Sequence, residues 1–557
     1  MQRFNHAFPT RVDCLILGGG ITGAGVARDA AMRGLSTLLV ESGDFASGTS
    51  HVTSKLIHGG LRYLFHGHFR LVLEGILERE RLLTSIAPHL VRPLRFLVTF
   101  PCSQLPRWIV GAAAANLYGF LRWFHQGERS GHQGAGRLRR QYPLLEEPGL
   151  GFTFWDAQAD DARLVLSTLR SAACLGATLC NYTQAESPMR TSDGWSVRLC
   201  GPGGMLPRVV ETRVLVNATG PWSALTSRWL GSQTTPTMWI KGSHILMRRP
   251  IDFGDDAVVL RSLRDGRFMW AVPWETRIMV GSTESQYEGD LRDVHPTADE
   301  VNDLFESFRA GFPRAKMTRE DIRCAYAGVR PIVHQETSCE NSLSRRRQID
   351  VDSKERLVTV SGGKLTTFRG MAEEAVDRVS ELLGRPRAPR ELRRRLRSVP
   401  LWPGLSAQEV HGLTKHAAAQ AAQAGVGRST LDHLIRRYGT DALGILQEGM
   451  DQPDQFRPLD AELPFCLGEL KYLTRTECVR HLTDLVKRRT AMYFLSDEFG
   501  EPMLDRIART VSPLLGWDER RQQREVDSTL EEYEADQAAV DPTTSSLHSR
   551  KRRAACA

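Results

Sequence analysis

Gly18, Gly20 and Gly23 fall at the spacing GxGxxG, directly after the short apolar run 12–17 and before an Ala-rich stretch. Each glycine answers a separate demand. The first permits a tight turn, the second lets a pyrophosphate approach the backbone, and the third lets helix and strand pack closely. Gly19 lies within the same turn. Phosphates docked there meet the N–H groups and positive dipole end of the following helix. A second apolar strand, 36–40, ends on Glu41, 23 residues after Gly18. That carboxylate is placed to accept hydrogen bonds from ribose hydroxyls, and it disfavours a 2′-phosphate and hence NADP. The unit alone does not separate FAD from NAD.

These residues need a βαβ scaffold, and the sequence around them supplies one. The helix predicted over 21–33 stops at Gly34. Further on, Leu71, Leu73, Ile76, Leu77 and Leu82 predict helix within 62–90, and Asp160 and Asp161 predict the N-cap of a helix running to about 173. Strand-like runs recur at 195–199, 214–216, 244–247, 269–272 and 278–280, so the middle of the chain is mixed. The Arg- and Pro-rich stretch 385–397 reads as a linker or exposed helix, and helical patterns dominate 406–515. From 531 the chain is polar and ends with Arg550-Lys551-Arg552-Arg553 before four small residues, which predicts a disordered tail.

A chain of 557 residues exceeds one compact core, so two or three domains are expected, and 41% hydrophobic with 25% charged residues is ordinary globular composition. The net charge of +8 suits an anionic partner, a phosphorylated substrate or a membrane surface, or is simply solvated. No helix-turn-helix, finger or RNA-binding signature accompanies it, so nucleic acid is not an expected partner. Ten scattered cysteines without a CxxC pair argue against zinc, iron–sulfur and disulfide scaffolds, and no metal site is expected. Residues 1–11 lack an apolar signal core, and no run reaches the roughly 18 apolar residues of a membrane span.

Six segments carry polar and glycine residues in a fixed order: Ser54-Lys55-Leu56-Ile57-His58-Gly59-Gly60-Leu61-Arg62-Tyr63, the DDARL run 160–164, VNATGPW at 216–222, KGSH at 241–244, GVRP at 328–331 and GGKLTT at 362–367. In these the chain resembles the FAD-dependent glycerol-3-phosphate dehydrogenase family, over 12–372 and more loosely beyond. The resemblance implies an α/β fold: a Rossmann-like FAD-binding domain (1–100, 150–235 and 355–390), a mixed α+β substrate domain (101–149 and 236–354) and a helical C-terminal domain (391–530). It implies FAD held by the glycine turn and Glu41 with Ser54, Lys55, His58, Gly59, Ala218, Gly220, Gly362, Gly363 and Thr366. It further implies hydride transfer from sn-glycerol 3-phosphate to the flavin, giving dihydroxyacetone phosphate. A phosphorylated triose needs converging cations, and the match offers Arg62, Tyr63, Arg330, Arg345 and Lys364, with Arg346 and Arg347 close enough to Arg345 for a slip in register. His244 is the first choice for the base that takes the hydroxyl proton; alternatively Arg330 stabilises the developing alkoxide and water takes the proton. The run Thr49-Ser50-His51-Val52-Thr53 is bulkier than in relatives.

The resemblance also implies that electrons pass to the quinone pool. Residues 108–124 are apolar with aromatics near both ends, and Arg107, Arg122 and Arg129 flank them. Such a segment reads either as an interfacial helix or as a core helix. The expected location is cytoplasmic, peripheral on the cytoplasmic face of the inner membrane, with a homodimer compatible. Two rival readings are an oxygen-using glycerol-3-phosphate oxidase, which is reported to carry an insertion not evident here, and an amino-acid-oxidase-like flavoenzyme on the same scaffold.

Overall fold

The structure is a computed structural model that describes residues 8–64, 68–101, 103, 105–123, 131–146, 149–201, 207–333, 347–401, 407–449 and 453–540. The glycine turn joins β1 (Arg11–Leu17) to α1 (Ile21–Met32), and β2 (Thr37–Val40) returns parallel to β1. Helix α1 ends where Gly34, at φ +73°, takes the left-handed conformation. The strand Arg208–Asn217 lies parallel on the other side of β1, and Leu357–Gly362 lies parallel beyond it. These strands are apolar on both faces because both faces are covered. One cover is α1 itself. Its Ala24, Ala27 and Ala30 are fully buried, and small side chains let the helices Asp161–Cys174 and Phe368–Leu382 pack closely beside it.

Among the described residues a second sheet of ten strands stands next to the first. Its longest pairing is the antiparallel one between Thr237–Arg248 and Ile322–Val333, the latter at the sheet's edge. The strands Arg92–Phe100 and Leu150–Gln158 pair with each other in this sheet, although the sequence reading puts them with the FAD-binding segments. Conversely, Arg347–Asp352 joins the first sheet through Leu357–Gly362. An alternating apolar pattern shows that a strand exists; its choice of sheet depends on partners far away in the chain.

The C-terminal helices pack around one core that includes Leu434, Leu473, Leu504 and Val511. The helix expected within 62–90 is narrower than its pattern: it spans Phe69–Arg81 and opens into a wide turn at Leu82–Ile86. Residues 160–164 behave as expected, with Asp160 accepting the Arg163 N–H at 3.0 Å. Residues 531–537, expected to open a tail, are instead the end of the helix Glu519–Gln537. Asp536 holds that end by accepting from Lys487 at 3.0 Å and from the Tyr493 hydroxyl at 2.6 Å. The basic run 550–553 lies outside the described residues.

Candidate cofactor and active site

At the β1–α1 turn Gly18 has φ +108°, and a Cβ there would stand 2.6 Å from the Ala218 carbonyl oxygen. Ala218 in turn donates its N–H to Leu17 at 2.9 Å, which closes the neighbouring strand end against the turn. A Cβ on Gly23 would drive into the Gly18 carbonyl oxygen. Gly20 is the N-cap of α1 and brings no side-chain cap, so the helix end is left for a ligand. The Ser50 hydroxyl accepts the Ile21 N–H at 3.0 Å. Glu41 accepts from the Gly19 N–H at 2.7 Å and the Gly43 N–H at 2.8 Å, so it holds the turn. Burial raises its carboxyl pKa against the pull of these two donors. A bare backbone cradle next to an acid fits a dinucleotide pyrophosphate and its ribose.

A cavity of about 680 Å³ runs from this turn to a cationic pocket. Thr22 and Ser50 line its near end, while Tyr63, Arg330 and Lys364 line the far one. Between them Gly362 and Gly363 have φ +69° and +84°. These values favour glycine and leave the backbone bare where a planar ring would lie. Lys364 Nζ sits 3.9 Å above the Tyr63 ring. Arg330 donates to the Ser282 hydroxyl at 2.8 Å and meets Glu284 at 3.5 Å. A Cβ on Gly242 would stand 2.6 Å from the Arg330 guanidinium, so the glycine of the 241–244 segment makes room for this cation.

Residues 13–378 match the family described as FAD dependent oxidoreductase, and residues 405–522 match the C-terminal domain of alpha-glycerophosphate oxidase. The chain belongs to the FAD-dependent oxidoreductase family. It is 33% identical to the aerobic glycerol-3-phosphate dehydrogenase of Escherichia coli over 496 residues, covering 86% of this chain and 93% of that one. It is also 31% identical to D-erythritol 1-phosphate dehydrogenase of Brucella abortus, covering 87% and 95%. The structure of the Bacillus halodurans glycerol-3-phosphate dehydrogenase complexed with FAD superposes with a TM-score of 0.76 at 25% identity, covering 96% of both chains.

Several of the residues expected to hold FAD or substrate gather on this cavity: Ser54, His58, Tyr63, Gly220, Arg330 and the 362–366 loop all line it. Thr366 fixes His58 from behind, accepting its N–H at 3.0 Å and donating to its carbonyl at 3.2 Å. Gly59 donates its N–H to the Tyr118 hydroxyl at 2.9 Å and to Asp156 at 3.1 Å, and buried Arg79 bonds both of those groups. Sequence reasoning missed this cluster, whose members sit in three separate segments. It also missed Ser282 and Glu284; only the mid-strand Gly242 hinted that something large lies alongside.

Two expected residues lie elsewhere. The Lys55 ammonium is buried against Asp161 at 2.6 Å and stacks 4.5 Å over Trp274, so it anchors the loop instead of lining the cavity. His244, expected to face the substrate hydroxyl, lies one side chain behind the wall: its Nε2 is 2.8 Å from the Ser54 hydroxyl, and its ring stacks on Tyr326 at 5.0 Å. Burial first, then Arg330 and Lys55, hold its pKa well below the usual histidine value. Arg62 has its backbone in the short turn Leu61–Leu64, with its side chain outside the described residues, as is all of Arg345. Arg347, two positions on, pairs with Glu374 at 2.7 Å and with Glu74.

Proposed function

We propose that this enzyme oxidises sn-glycerol 3-phosphate to dihydroxyacetone phosphate and passes the electrons to membrane quinone. The observation that carries the reading is the placement of Lys364 with Tyr63 and of Arg330 on one cavity with the bare Gly362–Gly363 backbone. The glycine turn, Glu41 and the 362–366 loop would hold FAD, which would supply the hydride acceptor for the carbinol carbon. The chain supplies the rest. Glu284 beside Arg330 repels a phosphate dianion, so the phosphate goes to the Lys364 and Tyr63 end and the alcohol to the Arg330 end. There the guanidinium stabilises negative charge developing on the oxygen. A neutral His244 shares a hydrogen bond with the Ser54 hydroxyl through Nε2 and fixes how that hydroxyl faces the cavity. Its depressed pKa makes His244 a positioning residue in this scheme, and the substrate proton leaves to water.

Two features support the quinone and membrane parts. An apolar branch of the cavity, with Phe100, Phe152, Phe154 and Trp270, suits a flat apolar acceptor. It reaches Val110 on the helix Leu105–Trp123, whose Ile109, Val110 and Leu117 are exposed, as are Phe69, Leu73 and Leu77 on the neighbouring helix. Such a face suits an interfacial contact, placed in this reading on the cytoplasmic side of the inner membrane. Among the described residues no helix is long and apolar enough to cross a membrane.

The likeness to the Brucella enzyme makes a four-carbon polyol phosphate the second reading. The test is anaerobic bleaching of the flavin by sn-glycerol 3-phosphate and by D-erythritol 1-phosphate, followed by reoxidation with a soluble quinone or with oxygen. Rapid bleaching by glycerol phosphate and reoxidation by quinone are expected. Bleaching only by the erythritol compound, or reoxidation as fast with oxygen, would overturn the corresponding half.

A further inference from the structure

The C-terminal domain grips the cofactor cradle at one buried point. Its wide turn Asp484–Arg489 delivers Arg488 and Arg489 to Asp44, three residues beyond Glu41. Arg488 Nε donates to Asp44 Oδ2 at 2.5 Å and Arg489 Nη2 to Oδ1 at 2.8 Å, with a further bond from Arg489 Nη1. Asn181 donates to Asp44 Oδ1 at 3.0 Å. Asp484 accepts from Arg488 at 2.7 Å and from the Tyr182 hydroxyl at 2.6 Å. Two carboxylates therefore face two guanidiniums, and Asp44 and Arg489 are 2% and 0% exposed. Burial alone would raise the Asp44 pKa, but Arg489 and Arg488 outweigh it and keep the carboxyl ionised.

Asp44 sits within the loop that wraps the glycine turn. Ahead of it Glu41 holds the Gly19 and Gly43 N–H groups; behind it Ala46 donates its N–H to the Gly19 carbonyl at 3.1 Å, and Ser50 holds the Ile21 N–H. Phe45 lies against Gly19, where a Cβ would come within 2.7 Å of its ring. Residues 41–50 thus shape the cradle from one side, with Ala218 closing it beside Gly18, and buried Asp44 in that loop is neutralised from the C-terminal domain. Asp44 itself does not line the cavity.

We propose that the C-terminal domain is the latch of the dinucleotide cleft: Arg488 and Arg489, through Asp44, hold the 41–50 loop over the cofactor and set how fast FAD leaves. The latch acts by pre-organisation. A loop held in its bound shape costs the cofactor no ordering entropy on binding, and it cannot swing away to let the cofactor go. This assignment depends on the flavin family and not on which polyol phosphate is oxidised.

The test compares D44N with E477Q in the full-length holoenzyme. Glu477 belongs to the same interdomain seam, pairing with Arg163 at 2.6 Å, but its side chain does not touch the loop. Two quantities are read: the rate at which flavin fluorescence rises on dilution, and the melting temperature of the FAD-stripped protein. D44N is expected to release FAD about 10–100-fold faster, while E477Q lowers the melting temperature and leaves the release rate near wild type. Equal release rates in D44N and wild type overturn the proposal, as does acceleration in E477Q matching its loss of melting temperature. R488K keeps the charge but loses the forked geometry, and serves if D44N does not fold. A smaller but clear acceleration is expected for it, and a wild-type rate would count against the latch.

Discussion

The substrate end of the cavity and the seam beneath the C-terminal domain both rely on arginine, in opposite ways. At the cavity Arg330 keeps 23% of its side chain exposed and meets its carboxylate neighbour at 3.5 Å. At the seam Arg163 and Glu477 are 1% and 0% exposed and joined by two bonds of 2.6 and 2.9 Å. A charge that must receive a ligand keeps access to solvent and a loose partner. A charge that must weld two domains is stripped of water and therefore needs a full set of bonds. Changes at the first place should alter chemistry with little loss of stability, and changes at the second should do the reverse.

The sharpest break is expected at the cradle both regions serve. G23A should yield folded protein without flavin, because the new methyl overlaps the Gly18 carbonyl; an absorbance spectrum with the flavin band intact would refute the geometry. Next in size is R330A, with kcat/KM for sn-glycerol 3-phosphate falling about 10³-fold, roughly 4 kcal/mol of transition-state stabilisation. Its thermal midpoint should stay near wild type. A large drop in midpoint instead would make Arg330 a seam-like residue and erase the contrast.

At the seam, E477Q should cost about 3–5 kcal/mol of stability by leaving Arg163 with a neutral partner. Denaturant unfolding measures this, and kcat of the folded enzyme should not change. The smallest effect comes from two seam histidines. Hydrogen bonds that His295 donates to Asp536 and His481 donates to Glu525 raise both pKa values. Raised values in the folded state mean that this stabilisation is complete below the unfolded pKa of about 6.5 and fades as pH climbs through the folded values. Between pH 6 and pH 9 the wild type should therefore lose more melting temperature than a His295→Gln, His481→Gln double variant; parallel losses would remove these histidines from the seam.

Legibility followed how local each requirement was. The glycine turn, the Gly34 stop and the Asp160 cap were readable because backbone conformation and capping are settled within a few residues. Sheet membership of Arg92–Phe100 was not, since its partner Leu150–Gln158 lies beyond two described helices and a short strand. Lys55 illustrates the limit at the site itself. Its motif falls on a segment that lines the cavity, yet only packing decides that the ammonium turns inward to Asp161, 106 residues away.

The sequence by itself determined the strand–glycine turn–helix of a dinucleotide fold at the N-terminus, with Glu41 at the end of the next strand. Those properties belong to residue types at short spacings. Tertiary structure alone decided that Ser54 stands between His244 and the cavity, across a separation of 190 residues, and that Arg488 reaches Asp44 across 444. Such contacts depend on how whole sheets and helices pack, and a side chain buried by that packing accepts whatever partner the fold brings to it.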